Sequence, residues 1–172
     1  SLFWIDYLTQ SLGLSLFWIN FNWILYGIGS AFGAFTAYLF AVKFGNLKAL
    51  KLLYSFYVAA ILFALMPSFP LLTFLSSLLT GLLNPAVVFL TSYTILQHYG
   101  LAYKKLWGMA TMTFALVQLI GGLSFSTLQS FNVAYPQQFI LAAAVLLSGT
   151  LYFMFYVRRY ELEFKKEVTP QT

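Results

Sequence analysis

Residues 52–103 read LLYSFYVAAILFALMPSFPLLTFLSSLLTGLLNPAVVFLTSYTILQHYGLAY, and no residue in this stretch carries a formal charge. A second uncharged stretch of the same length covers residues 106–157. A membrane-spanning helix needs about 20 apolar residues, so each stretch is long enough for two crossings. Both stretches are apolar at odd and even positions alike, whereas the strands of a membrane barrel alternate apolar and polar residues. We therefore predict an all-α integral membrane bundle.

The composition of the whole chain leads to the same class. Of its 172 residues, 61% are hydrophobic and only 8% are charged, and the mean hydropathy is +0.83. Soluble domains carry about 25% charged residues. The composition therefore excludes both a soluble globular fold and a disordered chain.

Turn-forming and charged residues divide the chain into six helical segments, which we designate A to F. Their predicted bounds are 1–12 (A), 18–42 (B), 52–65 (C), 71–97 (D), 106–128 (E) and 139–157 (F). Twelve helical residues reach only about 18 Å, whereas the hydrocarbon core of a bilayer is about 30 Å thick. Segment A is therefore predicted to be truncated, and we expect the chain to be the C-terminal part of a longer protein.

The basic residues predict how the bundle lies in the membrane. All 9 Lys and Arg residues fall between B and C, between D and E, or after F. Because cytoplasmic loops are enriched in Lys and Arg, these regions should be cytoplasmic, including the tail 158–172. The other connections should face outward. The pI near 9.4 then reflects membrane topology, and we predict no nucleic-acid partner.

Three segments carry small or polar residues at helical spacing, which is typical of faces that pack against other helices. The residues are Asn22, Tyr26, Gly29, Gly33 and Thr36 in B; Ser77, Thr80, Gly81, Asn84, Val88 and Thr91 in D; and Thr111, Ala115, Gln118, Gly122 and Gln129 in E. We predict close helix packing at Gly29, Gly33, Gly121 and Gly122. Segments C and F have few polar residues and are expected to face lipid.

Three stretches carry a resemblance to a known family. Residues 26–33 with 43–48 resemble the eighth helix and following loop of a major facilitator superfamily transporter, and 81–85 resemble its tenth helix. Residues 107–122 are similar to the eleventh helix of the YbfB/YjiJ-like branch. The loop after the eighth helix repeats the superfamily's Gly-x-x-x-Asp-Arg-x-Gly-Arg-Arg signature, and here Val42 stands in place of the Asp.

The resemblance implies the C-terminal six-helix half of the major facilitator fold, with helix seven truncated. It also implies that C and F are peripheral helices. The N-terminal half of the same protein would be the partner, and the two halves would move against each other around a small-molecule substrate.

The resemblance also implies the substrate-binding residues, because the first helix of each three-helix unit lines the central cavity in this superfamily. The implied residues are Asp6, Tyr7 and Gln10 in A; Ser77, Asn84 and Thr91 in D; and Gln118 at the edge in E. Asp6 is the only acidic residue before the tail. A charge inside a span costs about 2.5 kcal/mol or more, so Asp6 is a candidate for proton or substrate coupling.

Each of these assignments has a structural alternative. Asp6 could lie in water without a coupling role. Gln118 could form an interhelical hydrogen bond, and Asn84 could bond to carbonyl groups freed by Pro85.

Several chemistries are excluded by the residue inventory. The chain has no Cys and one His, which is too few ligands for a protein metal site, and it has no paired intramembrane carboxylates for acid–base catalysis. We therefore predict no enzymatic activity, no metal and no cofactor. The predicted function is secondary active transport of a small molecule, as a symporter or antiporter with proton coupling left open, in a bacterial inner membrane. The alternative is a non-transporting membrane subunit whose polar faces serve only packing.

The predicted topology can be tested by cysteine labelling, because the chain has no native cysteine. In right-side-out vesicles, Ser68→Cys and Asn132→Cys should react with a membrane-impermeant maleimide. Asn46→Cys should react only after permeabilisation. The reverse pattern would overturn the orientation inferred from the basic residues.

Overall fold

The computed structural model describes residues 7–11, 13–66 and 70–168, and every regular element in these ranges is helical. Five long helices are present: α1 (Leu16–Phe44), α2 (Asn46–Ala64), α3 (Pro70–Tyr99), α4 (Tyr103–Ser130) and α5 (Tyr135–Val168). A π-helical turn, Tyr7–Ser11, precedes them, and a 3-10 turn, Gly100–Ala102, joins α3 to α4.

Helical stretches long and apolar enough to cross a membrane account for most of the described residues. There are four: Leu16–Phe44, Asn46–Ala64, Leu71–Ser130 and Tyr135–Arg159. The third has 60 residues because it contains both α3 and α4. The protein is therefore a helical membrane bundle, as the composition indicates.

Helices α1 to α5 correspond to segments B to F, and each is longer than predicted. The largest differences lie at the charged ends. Lys48 and Lys51, which the sequence placed in a loop, lie in the first turns of α2, and α5 continues through the predicted tail as far as Val168. Of segment A, the structure describes residues 7–11 as helical; residues 1–6 lie outside the described ranges.

A single residue separates α1 from α2. Gly45 has φ +80°, a conformation that residues with a Cβ rarely adopt. Its amide donates to Ala41 O at 2.8 Å, and its carbonyl accepts from Ala49 N at 2.9 Å. Gly45 thus satisfies a carbonyl of the ending helix and an amide of the beginning one, so the two helices form a tight hairpin.

Helices α1 and α3 are in backbone contact at three buried glycines. A Cβ on Gly29 would lie 2.8 Å from Leu82 N, and one on Gly33 would lie 2.6 Å from Leu82 O. From the other side, a Cβ on Gly81 would lie 2.8 Å from the carbonyl carbon of Tyr26. Since these neighbours are backbone atoms, no side-chain movement could relieve the clash. The small-residue face that the sequence predicted on segment B therefore packs against α3.

Helix α2 packs on α3 through a mainly aliphatic core. The buried residues of this core are Ala37, Ala49, Leu50, Leu53, Ala60, Leu83, Ala86 and Leu90. The prediction that segment C faces lipid all round is therefore wrong. Alanine and leucine side chains are equally compatible with a neighbouring helix and with lipid, so the sequence did not distinguish the two surroundings.

Helix α5 also has a packed face. Ala143, Thr150 and Val157 are buried at seven-residue intervals, and the Phe153 ring lies 5.3 Å from that of Tyr54 on α2. The prediction for segment F is therefore wrong on this face.

Helix α4 has no buried residue. Its few contacts in the described part of the chain are with the 3-10 turn, α3 and α5. The expectation that segment E buries its polar face is therefore not met within these residues. A stripe of small and polar residues indicates that a helix has a special face, but it does not identify what covers that face.

The glycine contact predicts a sharp difference between neighbouring positions on α1. Gly29→Ala should lower the free energy of unfolding by about 2 kcal/mol, because overpacking against a backbone typically costs 1–3 kcal/mol. Gly27→Ala is the matched control, because nothing lies within 4 Å of a Cβ at that position. It should be neutral or slightly stabilising. Unfolding in mixed detergent micelles, followed by circular dichroism, would measure both. Equal effects would contradict the packing.

Candidate functional site

Polar side chains of α1 and α3 meet along the same face as the glycines. At one end of this seam, the buried hydroxyl of Ser77 donates to Asn22 Oδ1 at 2.6 Å. Asn22 Nδ2 in turn donates to Trp18 O of its own helix at 2.9 Å. The polar stripes predicted on segments B and D are therefore two sides of one contact, in which Asn22 and Ser77 satisfy each other.

The middle of the seam compensates for a proline inside α3. Pro85 has no amide hydrogen, so the carbonyl of Gly81, four residues earlier, loses its intrahelical donor. The Ser30 hydroxyl of α1 lies 3.2 Å from Gly81 O and 3.0 Å from Tyr26 O, within hydrogen-bond distance of both. A neighbouring helix thus supplies the donor that proline removed, as a helix in hydrocarbon requires.

Asn84 is the fifteenth of the 30 residues of α3 and therefore lies at its centre. Its amide nitrogen is 3.4 Å from the Tyr26 hydroxyl, a long hydrogen bond. The side chain is half-buried, and no hydrogen bond to its Oδ1 is found among the described residues. In the structure, the Ser30 hydroxyl and not the Asn84 amide lies at the Gly81 carbonyl that Pro85 leaves without a donor. The alternative role considered for Asn84 is therefore wrong.

Thr91 lies two turns beyond Asn84 on the same face of α3. It is half-buried and forms a side-chain hydrogen bond with Tyr54 of α2. Of the predicted substrate contacts on this helix, Ser77 and Thr91 are therefore engaged by neighbouring helices, whereas the Asn84 oxygen accepts no hydrogen bond from the residues that the structure describes.

The predicted contacts of segment A are only partly described. Tyr7 is fully buried, its hydroxyl donates to Ala64 O at 2.9 Å, and its ring packs 5.0 Å from Phe139. Gln10 belongs to the π-helical turn, but its side chain lies outside the described residues, as does the whole of Asp6.

Gln118 lies apart from the α1–α3 seam. It is the sixteenth of the 28 residues of α4 and is exposed. Nearby hydroxyls bond to their own helix, as Thr111 and Thr113 do with carbonyl oxygens four residues earlier at 2.9 Å. The Gln118 amide has no hydrogen-bond partner in the part of the chain that the structure describes.

The predicted packing glycines of α4 make no close approach in the structure. Nothing lies within 4 Å of a Cβ built on Gly121 or Gly122, and both positions are exposed. The predicted packing at these two glycines therefore concerns a surface that no described residue covers.

Two polar residues of structural weight were not singled out from the sequence. Ser30 is one of them. The sequence feature that pointed to it is its position next to Gly29, on the helix face that packs against the proline-containing helix. Gln138 is the other: it is buried and donates to Gln129 Oε1 at 2.9 Å and Val133 O at 2.7 Å, which fixes the α4–α5 turn. Across residues 7–11, 13–66 and 70–168, no cluster of side chains is suited to hold a metal ion.

Comparison with known proteins gives one match. The sequence profile of the family described as "Uncharacterised MFS-type transporter YbfB" matches residues 2–153. No curated protein and no solved structure matches the chain significantly. The profile match agrees with the resemblance drawn from residues 107–122.

The compensation of Pro85 by Ser30 can be tested with a double-mutant cycle. Ser30→Ala should cost about 1 kcal/mol of unfolding free energy, the usual net value of one hydrogen bond. In the Pro85→Ala background the cost should fall toward zero, because the restored amide can donate to Gly81 O.

Ser124→Ala is the matched control for this cycle, because among the described residues the Ser124 hydroxyl bonds only to Ile120 O of its own helix. Its effect should be the same in both backgrounds. Additive effects of Ser30→Ala and Pro85→Ala would rule out the compensation.

Proposed function

The chain belongs to the family of the MFS-type transporter YbfB, and we propose that it forms the C-terminal half of a secondary active transporter that moves a small molecule by alternating access. The second half would be the N-terminal six helices of the same protein. Transport would require no cofactor and no enzymatic step. The site would lie near the membrane midplane, where the two halves meet.

The observation that carries this proposal is the exposed face of α4. An amide at the centre of a membrane helix is costly unless water or another polar group satisfies it. Gln118 occupies this position, and no residue of α4 is buried. A second half of the protein facing α4 across a water-containing cavity would shield this face from lipid. Water in the cavity would provide hydrogen-bond partners for the Gln118 amide.

Asn84 supports the same location. It lies at the centre of α3, as Gln118 lies near the centre of α4, so the two amides occupy a similar depth if both helices cross the membrane. Amides offer a donor and an acceptor and can therefore bind hydroxyl, carboxylate or amine groups of a solute. The proposed substrate contacts remain Asp6, Tyr7, Gln10, Ser77, Asn84, Thr91 and Gln118, with Asp6 as the candidate for coupling.

The close packing along the α1–α3 seam is consistent with a helical unit that moves as a rigid body. Alternating access needs one bundle to rock against the other without internal rearrangement. Backbone contact at Gly29 and Gly81, reinforced by the Ser77–Asn22 hydrogen bond, resists sliding between these helices. We propose that this unit rocks in the membrane with the C-terminus in the cytoplasm, and that the membrane is a bacterial inner membrane.

A second candidate is a membrane subunit that does not transport. It is favoured by the engagement of Tyr7 and Ser77, whose hydroxyls already donate within the bundle. In that case the exposed face of α4 would pack against a partner subunit. The two candidates differ in whether the central amides affect the movement of solute or only assembly.

The proposal predicts selective loss of transport from substitutions at the centre of the membrane. Asn84→Ala and Asp6→Asn should lower solute-evoked currents about tenfold, the effect of losing roughly 1.4 kcal/mol of binding. The measurement is solid-supported-membrane recording on proteoliposomes that contain both halves, with a panel of small polar solutes. Both variants should remain inserted after alkaline extraction.

Thr113→Ala is the matched control, because within the described part of the chain its exposed hydroxyl bonds only to Met109 O of α4. It should leave the currents unchanged. Loss of folded protein in parallel with every loss of current would favour the packing subunit instead.

A further inference from the structure

A crevice lies at the end of the bundle where α1 turns into α2. It has a volume of about 380 Å³ and is lined by Leu39, Phe40, Lys43, Phe44, Leu52 and Phe56. Five of the six lining residues are apolar, and the sixth is a lysine. None of them belongs to the α1–α3 seam or to the proposed substrate contacts.

The charge and the apolar surface of the crevice are arranged along the helix axes. On α1, Lys43 follows Leu39 by one turn and lies in the last turn of the helix. On α2, Lys48 precedes Leu52 by one turn, and Phe56 follows Leu52 by another, so the three share a face. Both lysines therefore lie at the loop end of the crevice, whereas Leu39 and Phe56 lie farther from the loop along the two helices.

The depth that the crevice reaches below the loop end of the bundle can be read from α2. Phe56 is ten residues beyond the start of the helix at Asn46, a rise of about 15 Å. This is about half of a hydrocarbon core 30 Å thick, or the depth of one leaflet. A molecule that fills the crevice would thus place its polar end at the membrane surface and its apolar end in the acyl region.

Neither of the two helices that line the crevice supplies an acidic partner for Lys43. No acidic residue occurs between Tyr7 and Tyr160, so neither α1 nor α2 can neutralise Lys43. Its Nζ lies 5.3 Å from the centroid of the Phe44 ring, a cation–π distance that holds the ammonium group beside the crevice. The site therefore offers positive charge at the surface and an apolar slot beneath it.

We propose that this crevice binds a phospholipid with an anionic headgroup. One acyl chain lies between Leu39 of α1 and the Leu52–Phe56 face of α2, and the phosphate pairs with Lys43 and Lys48. The charge selects anionic over zwitterionic headgroups, and the apolar slot distinguishes a lipid from a free phosphate ion. This site is independent of the proposed transport activity.

The test is a native mass spectrometry titration of the full chain in detergent. The probes are dioleoylphosphatidylglycerol and dioleoylphosphatidylcholine, which share acyl chains and differ in headgroup charge. The anionic lipid should bind more tightly, and Lys43→Gln should weaken its binding about fivefold, because one lysine near an anionic headgroup contributes about 1 kcal/mol. Adding Lys48→Gln should weaken it about fivefold further. Binding of phosphatidylcholine should not change.

Two controls separate this site from general attraction to a basic protein. Lys105→Gln removes a cation from the start of α4, away from the crevice, and should leave binding of both lipids unchanged. Leu39→Trp should fill the crevice and weaken phosphatidylglycerol binding with all lysines present; Leu39 is 48% exposed, so the bundle can tolerate the change. Millimolar inorganic phosphate should not displace the bound lipid.

Three results would overturn the proposal: equal affinity for the two lipids, equal effects of Lys43→Gln and Lys105→Gln, or displacement by inorganic phosphate. Thermal unfolding of each variant, monitored by circular dichroism without added lipid, checks that the bundle remains folded. If Leu39→Trp unfolds the chain, the lysine variants still decide the outcome.

Discussion

The arrangement of the bundle depends on the contact between the backbones of α1 and α3. In a bilayer there is no hydrophobic force that drives one apolar helix onto another, so association relies on close packing and interhelical hydrogen bonds. Glycines at positions 29, 33 and 81 allow the two backbones to touch. This closeness brings the Ser30 hydroxyl to the carbonyl of Gly81, and it brings Ser77 to Asn22. The glycines therefore make the polar contacts geometrically available.

The same contact explains how α3 tolerates a proline at its centre. A proline in a membrane helix leaves a carbonyl without its donor, and hydrocarbon offers no replacement. Here the replacement comes from α1, so the proline in α3 and the serine in α1 form one structural unit. Asn84 is adjacent to the proline but is relieved of this task, and its oxygen has no partner among the described residues.

The rest of the bundle is organised around this pair. Helix α2 covers α3 with a core of alanine and leucine, and α5 covers α2 with a face of residues spaced by seven. Helix α4 stands apart: most of its hydroxyl groups bond to its own backbone, and the Gln118 amide at its centre has no hydrogen-bond partner among the residues that the structure describes. The described part of the bundle thus has a closely packed portion and one exposed helix. The basic ends of α1 and α2 form a third region, where surface charge borders an apolar crevice.

The sequence by itself determined the class of protein and the faces of two helices. Uncharged stretches of this length are too long for a soluble fold and indicate membrane helices. The glycines spaced by four on segment B indicated that another helix packs closely there. The family resemblance also followed from the sequence, because its motifs are local. The ends of the helices were less predictable, because lysines such as Lys48 and Lys51 are found at the membrane surface both in loops and in the first turns of helices.

Only the tertiary structure decided which faces meet. Ala49 and Leu53 of α2 pack on α3. Because apolar side chains are equally compatible with protein and with lipid, no periodicity in the sequence distinguishes the two surroundings. The polar stripe of α4 has the same helical spacing as that of α1, but the residues that the structure describes leave the α4 stripe largely exposed, whereas α3 covers Asn22, Gly29 and Gly33 of α1. The engagement of Ser30 with Gly81 joins residues 51 positions apart. Such a pairing depends on the relative height and rotation of two helices, which the sequence of either helix alone does not contain.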